Sequence, residues 1–203
     1  MLQFSQFIAE SHLDTLYVFD IDDTLFRTNI LVHIRDANGR IVKSLNTQEF
    51  NQYKLQPSQR YDFSDFRDAD KFERTSKPII PMIVRLRILQ KDIENTNSKI
   101  VMITGRSDFD DKDKFLDVFR RLGVDIDKIH IYRAGNLSVP ESIADKKAAI
   151  VKTLLNTEKN YRHAVMYDDN IDNLETFKKL GSEFPDVSFT SYQAFHDGSL
   201  NHV

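Results

Sequence analysis

The run Thr15-Leu16-Tyr17-Val18-Phe19 is followed at once by Asp20-Ile21-Asp22-Asp23-Thr24. A strand with one wet face alternates polar and apolar residues, whereas a compact β-branched and aromatic run suits a strand covered on both faces. Similar runs recur at residues 99–103, 128–132, 163–167 and, last, 186–190. Between them lie helical patterns: from Pro81 to about residue 95 with Ile83, Leu86, Ile88 and Leu89 as the apolar face, at 111–122 stopped by Gly123, at 141–155 after Pro140, and at 171–180 capped by Gly181. Strands alternating with helices predict an α/β fold, a Rossmann-like three-layer sandwich around a central parallel sheet. Ligands of such sheets gather beyond the carboxyl ends of the strands.

Between the first strand and the helix at Pro81, residues 26–76 form a flap and small cap-like insertion. Two extended segments, 30–35 and 40–44, flank Asp36-Ala37-Asn38-Gly39, and Asn-Gly between such runs is a strong hairpin signal. A short helix is expected at 47–53, then an irregular stretch through Tyr61-Asp62-Phe63-Ser64-Asp65-Phe66. The 203 residues, at about 100–200 per domain, fit a single domain over 1–203, and no repeat or linker divides it. Residues 1–12, with Phe4, Phe7 and Ile8 as a short amphipathic patch, are expected to be a docking or leader segment, or else a frayed end.

Hydrophobic residues at 40% and charged residues at 29% imply a buried core rather than disorder. A net charge of −3, from 28 basic and 31 acidic residues, lacks the excess of a general nucleic-acid binder. With no cysteine there is no disulfide framework, thiolate metal site or cysteine nucleophile, which suits a reducing, cytoplasmic setting. No apolar stretch approaches the ~20 residues of a membrane span, and the amino terminus does not read as a secretory signal. No membrane and no obligatory protein partner are expected.

Four strands end in residues that can carry chemistry. The first runs into Asp20, Asp22 and Thr24; the second ends at Thr104-Gly105-Arg106; Lys146-Lys147 begins the helix after the third; the fourth ends in Asp168-Asp169, with Asp172 beyond. Singly, each has a plain structural explanation. Asp20 or Asp168 can be a helix cap, Thr104-Gly105 a turn, Lys147 a solvated lysine and Asp172 a surface charge. Together, carboxylates brought to one edge repel unless a cation sits among them, and hard oxygen ligands suit Mg²⁺. A hydroxyl and an ammonium nearby suit phosphoryl oxygens.

With its Asp-x-Asp-x-Thr signature after an apolar strand, the chain from about Tyr17 to Phe189 resembles the haloacid dehalogenase superfamily of phosphotransferases. The resemblance implies a Mg²⁺-dependent phosphomonoester hydrolase in which Asp20 is the nucleophile and forms an aspartyl-phosphate. Asp22 would protonate the leaving oxygen, and Thr24 would support the loop. Thr104, Gly105 and the motif lysine, Lys147 or its neighbour Lys146, would bind the phosphoryl group. Mg²⁺ would be held by Asp20, Asp168 and the backbone carbonyl of Asp22, with Asp169 and Asp172 behind these ligands. Asp23 stands where the commonest signature has glycine, and aspartate tolerates turn geometry.

The small insertion implies an open or lightly covered site, suited to a small phosphoester, a nucleotide, a nucleic-acid end or a phosphoprotein. Arg106, Arg60, Tyr53, Tyr61, Phe63 and Phe66 are candidates to hold a base or sugar, or else pack the flap on the sheet. Two alternatives stand beside the phosphatase: a polynucleotide end phosphatase of nucleic-acid repair, and a non-catalytic phosphoryl-binding or packaged phage protein on the same fold. The second draws on residues 1–10, ending Ile8-Ala9-Glu10, which resemble leader peptides of internal head proteins of large tailed phages. A receiver domain is disfavoured because its acidic pair precedes its phosphorylated aspartate, whereas here the pair comes last.

Overall fold

The computed structural model describes residues 14–137, 141–158 and 161–203. The amino-terminal segment 1–12 and Pro140 lie outside them. The chain opens with β1 (Thr15–Phe19) and then enters the insertion: β2 (Phe26–Arg27), β3 (Val32–Arg35), β4 (Ile41–Leu45), α1 (Thr47–Gln52), β5 (Arg60–Asp62), α2 (Ala69–Thr75) and β6 (Lys77–Pro78). It continues through α3 (Ile80–Asp92), β7 (Lys99–Thr104), α4 (Lys112–Arg121), β8 (His130–Arg133), α5 (Ile143–Thr157), β9 (His163–Asp168), α6 (Ile171–Lys179), β10 (Ser188–Ala194) and β11 (Leu200–His202).

The main sheet has six strands in the order β11-β10-β9-β1-β7-β8, all parallel except the edge strand β11. Alternation along the central strands sorts their side chains into two cores. Tyr17, Phe19, Ile100, Met102, Val165 and Tyr167 pack against α2, α3 and α4. Leu16, Val18, Val101, Ile103, Ala164 and Met166 pack against α5 and α6. The sheet thus lies between two helical layers, which explains why its strands read as unbroken apolar runs. Among the described residues, no helix is long and apolar enough to cross a membrane.

Local chemistry sets the element ends. Asp111, Ser142 and Asn170 cap α4, α5 and α6 with side-chain oxygens that accept from Lys114 N, Asp145 N and Asp172 N. Gly123 takes φ +72° after α4, a left-handed conformation that ends a helix without steric cost. At the expected hairpin, Gly39 has φ +80° and donates to Asp36 O, while the Asp36 carboxylate accepts from Asn38 N and Arg40 N.

Several boundaries differ from expectation. The stretch after Gln59 is not wholly irregular, because β5 pairs with β3 to make a three-stranded flap ordered β4-β3-β5. Three residues are too short for a period to show, and the pairing comes from the tertiary fold. β2 and β6 pair antiparallel where the insertion leaves and rejoins the body. The final parallel strand is 188–194 rather than 186–190, and the short β11 had no signal of its own. On α3 the buried stripe is Met82, Ile83, Leu86 and Leu89, whereas Ile88 is 40% exposed. Gly181 does not cap α6 directly, since Leu180–Ser182 continue as a 3₁₀ turn.

Candidate active site

Parallel register brings the ends of β1, β7 and β9 side by side: Phe19 pairs with Met102 on one side and Tyr167 on the other. Asp20 N continues the ladder to Tyr167 O at 2.9 Å. Asp20, Thr104 and Asp168 therefore leave three adjacent strands at one edge, all buried.

Lys147, on the first turns of α5, reaches this edge and is buried. Its Nζ donates to Asp20 Oδ1 at 2.6 Å and Asp168 Oδ2 at 2.7 Å. Lys146 makes neither contact, and the alternation of buried positions Ala144, Lys147, Val151 and Leu154 explains why: positions three and four apart share the face turned to the sheet. Burial works against the lysine charge, but Asp168 and Asp20 outweigh it and hold the ammonium above its usual range. Burial also pushes the Asp20 carboxyl well up; Lys147 opposes this, while Asp168, Asp169 and Asp22 add to it.

Asp22 lies apart from this pair. Its carboxylate accepts from Arg106 Nε at 2.9 Å on Oδ2 and from Arg106 Nη2 at 2.7 Å on Oδ1. Thr104 Oγ1 stands 3.5 Å from Asp22 Oδ2 and accepts from Arg106 N at 3.1 Å. Arg106, expected as a contact for a base or sugar, is fully buried and spent on Asp22 instead. The Gly105–Arg106 turn behind it is held from beneath. Gly135 N donates to Arg106 O at 3.3 Å, and a Cβ at 135 would fall 2.5 Å from Gly105 O.

Carboxylate oxygens of Asp20, Asp168 and Asp169 come within 4.8 Å of one another. All are hard oxygen donors, and burial with the neighbouring carboxylates raises the Asp20 carboxyl despite Lys147, so the residues fit a divalent cation such as Mg²⁺. Asp169, expected behind the ligands, supplies the third carboxylate of this cluster, while the Asp22 side chain faces Arg106. Burial, with the charges of Asp168 and Asp23, raises the Asp169 carboxyl to about 7.

Asp172 is exposed, and its described bond is a backbone one to the Asn170 side chain. Its expected position beside the cluster is taken by Asn173, whose Nδ2 donates to Asp168 Oδ1 at 2.8 Å, joined by Asn170 N at 3.0 Å. One helical step separates these neighbours, and only a polar residue buried on the α6 face would have signalled Asn173. Thr24 is buried, but its hydroxyl has no described hydrogen-bond partner, so it fills the loop by shape. Asp23 takes φ +59°, and its carboxylate faces His196 Nε2 at 3.0 Å. That contact, from the turn between β10 and β11, has no sequence signal because 173 residues separate the partners.

The aromatic residues of the insertion mainly pack on one another: Phe50 on Tyr61 and Phe63, and Phe63 on Phe66. Tyr53 O accepts from the Tyr61 hydroxyl. Arg60 is exposed beside Gly39 on the flap. No family model matches the chain, and no curated protein matches it significantly.

Proposed function

We propose that the chain is a Mg²⁺-dependent phosphomonoester hydrolase of the haloacid dehalogenase type. The observation that carries this reading is the separation of two carboxylates two positions apart: Asp20 is buried against Lys147, and Asp22 is held on the other side by Arg106. Two carboxylates in unlike environments can take unlike roles in one reaction.

In this reading, an Asp20 carboxylate oxygen attacks phosphorus and the bond from phosphorus to the ester oxygen breaks. The departing oxygen takes a proton from the acid form of Asp22, which is left as the carboxylate that Arg106 holds. Asp22 then accepts a proton from water as that water attacks the phosphoaspartate, and inorganic phosphate leaves with Asp20 regenerated. The Lys147 ammonium offsets charge on the phosphoryl oxygens and keeps Asp20 oriented. Thr104 and the Gly105 backbone line the same edge and are suited to the phosphoryl group. Asp20, Asp168 and Asp169 would hold the cation, whose chemistry is to neutralise the dianionic ester and so let an anionic nucleophile approach it.

Asp22 keeps 21% side-chain exposure, so a leaving group can reach it from solvent. Phosphate release with and without Mg²⁺, across an aryl phosphate, nucleoside monophosphates, sugar phosphates and oligonucleotides with terminal phosphates, tests the proposal. Mg²⁺-dependent release lost in Asp20→Asn supports it, and preference for oligonucleotide ends would select the polynucleotide end phosphatase. No release from any ester would favour a phosphoryl-binding protein.

A further inference from the structure

Among the described residues, Arg106 is one of the largest fully buried side chains. Burying a guanidinium is costly unless its charge is paired and its donors are used. Its Nε and Nη2 grip both oxygens of Asp22, and its Nη1 donates to Phe66 O at 3.3 Å. The rings of Phe72 and Phe109 lie 5.0 and 5.1 Å from its Cζ, with Phe66 at 5.8 Å. Cation–π attraction and close packing leave the guanidinium little freedom. The backbone of the same residue is fixed by Thr104 Oγ1 and Gly135 N.

We propose that Arg106 is a positioning residue for leaving-group protonation: it fixes the Asp22 carboxylate where the departing oxygen meets it, without touching the substrate. The inference rests on the phosphatase reading. It assigns to this arginine a task that a lysine performs poorly, since a planar fork holds two oxygens while an ammonium offers a point charge. Asp22 swings freely once the fork is gone, and the chemistry suffers where protonation matters most.

The test compares an alkyl phosphate, a poor leaving group that needs the proton, with p-nitrophenyl phosphate, which departs readily without it. General acid catalysis contributes about 10²–10⁴-fold, so Arg106→Met is expected to lose about 100-fold more kcat on the alkyl ester than on the aryl ester. Asp22→Asn should show the same split, and the double variant should be no worse than Asp22→Asn alone. Arg106→Lys preserves the buried charge and serves if the methionine variant does not fold; it should show the same split to a smaller degree. A merely structural arginine would lower both esters by the same factor. Equal losses, or undiminished alkyl turnover, in a folded Arg106 variant of an active enzyme would overturn the proposal alone. A wild-type protein inactive on both esters would overturn the phosphatase reading, and the positioning role with it.

Discussion

The ammonium of Lys147 lies 2.6 Å from Asp20 and 2.7 Å from Asp168, closed off from solvent, and it is the cation that lets these two carboxylates share a strand edge. Removing one partner of a buried pair costs about 3–5 kcal/mol, mostly by stranding the other charge. Lys147→Met is therefore expected to destabilise the fold by about that much at neutral pH. Mg²⁺ or mild acid should restore part of the loss in denaturant titrations, because each answers the repulsion among Asp20, Asp168 and Asp169. A loss indifferent to both would mean that the lysine serves packing alone.

Cation affinity should depend on pH with a defined sign. Burial and neighbouring charge raise Asp169 to about 7 and Asp20 well above its ordinary value. A folded value above the unfolded one favours the cation-free fold at low pH, and that contribution fades as pH rises through about 7 for Asp169. A cation must displace the same protons, so calorimetry should show Mg²⁺ binding tighten by up to about tenfold per pH unit per displaced proton across this range. Asp169→Asn should flatten that slope.

At the opposite end of β9, His163 is buried; its Nε2 meets Thr190 Oγ1 at 2.7 Å, and its Nδ1 has no described partner. Burial pushes its pKa down. The stability linked to its neutral form is present above the unfolded value of about 6.5 and is lost as pH falls through the lower folded value. The difference in denaturation midpoint between wild type and His163→Gln should accordingly narrow, in the variant's favour, as pH drops below about 6.5.

Gly135 is required by close approach rather than by its φ. A Cβ there would lie 2.5 Å from Gly105 O and 2.7 Å from Arg106 C, both backbone atoms that cannot rotate away. Gly135→Ala should cost about 1–3 kcal/mol, as overpacking does. It should also disturb Arg106 and so weaken turnover of poor leaving groups more than of good ones. Chemical denaturation and the pair of esters read the two effects separately.

Much of this arrangement was readable because it is local. The unbroken run before Asp20 signalled a strand covered on both faces, and Asn38-Gly39 signalled the flap hairpin. Lys146 and Lys147 stood level as neighbours in the sequence, and the buried face of α5 together with the contacts to Asp20 and Asp168 selects Lys147. What escaped was set by distant partners. β5 exists through β3, and Asp23 meets His196 from the far end of the chain. Arg106 sat in plain view after Thr104-Gly105, yet its solvent-seeking side chain suggested substrate until the Phe72 and Phe109 rings closed over it. Asp169 and Asp172 read alike in the sequence, as residues behind the ligands, but Asp169 lies in the cluster beyond β9 while Asp172 is exposed on α6.

The most direct measurement is a mass spectrum of the protein acid-quenched during turnover of p-nitrophenyl phosphate with Mg²⁺. A covalent phosphoryl group on the peptide bearing Asp20, absent from Asp20→Asn, is the expected result. Steady Mg²⁺-dependent phosphate release that persists in Asp20→Asn, with no modified peptide, would contradict nucleophilic attack by this carboxylate.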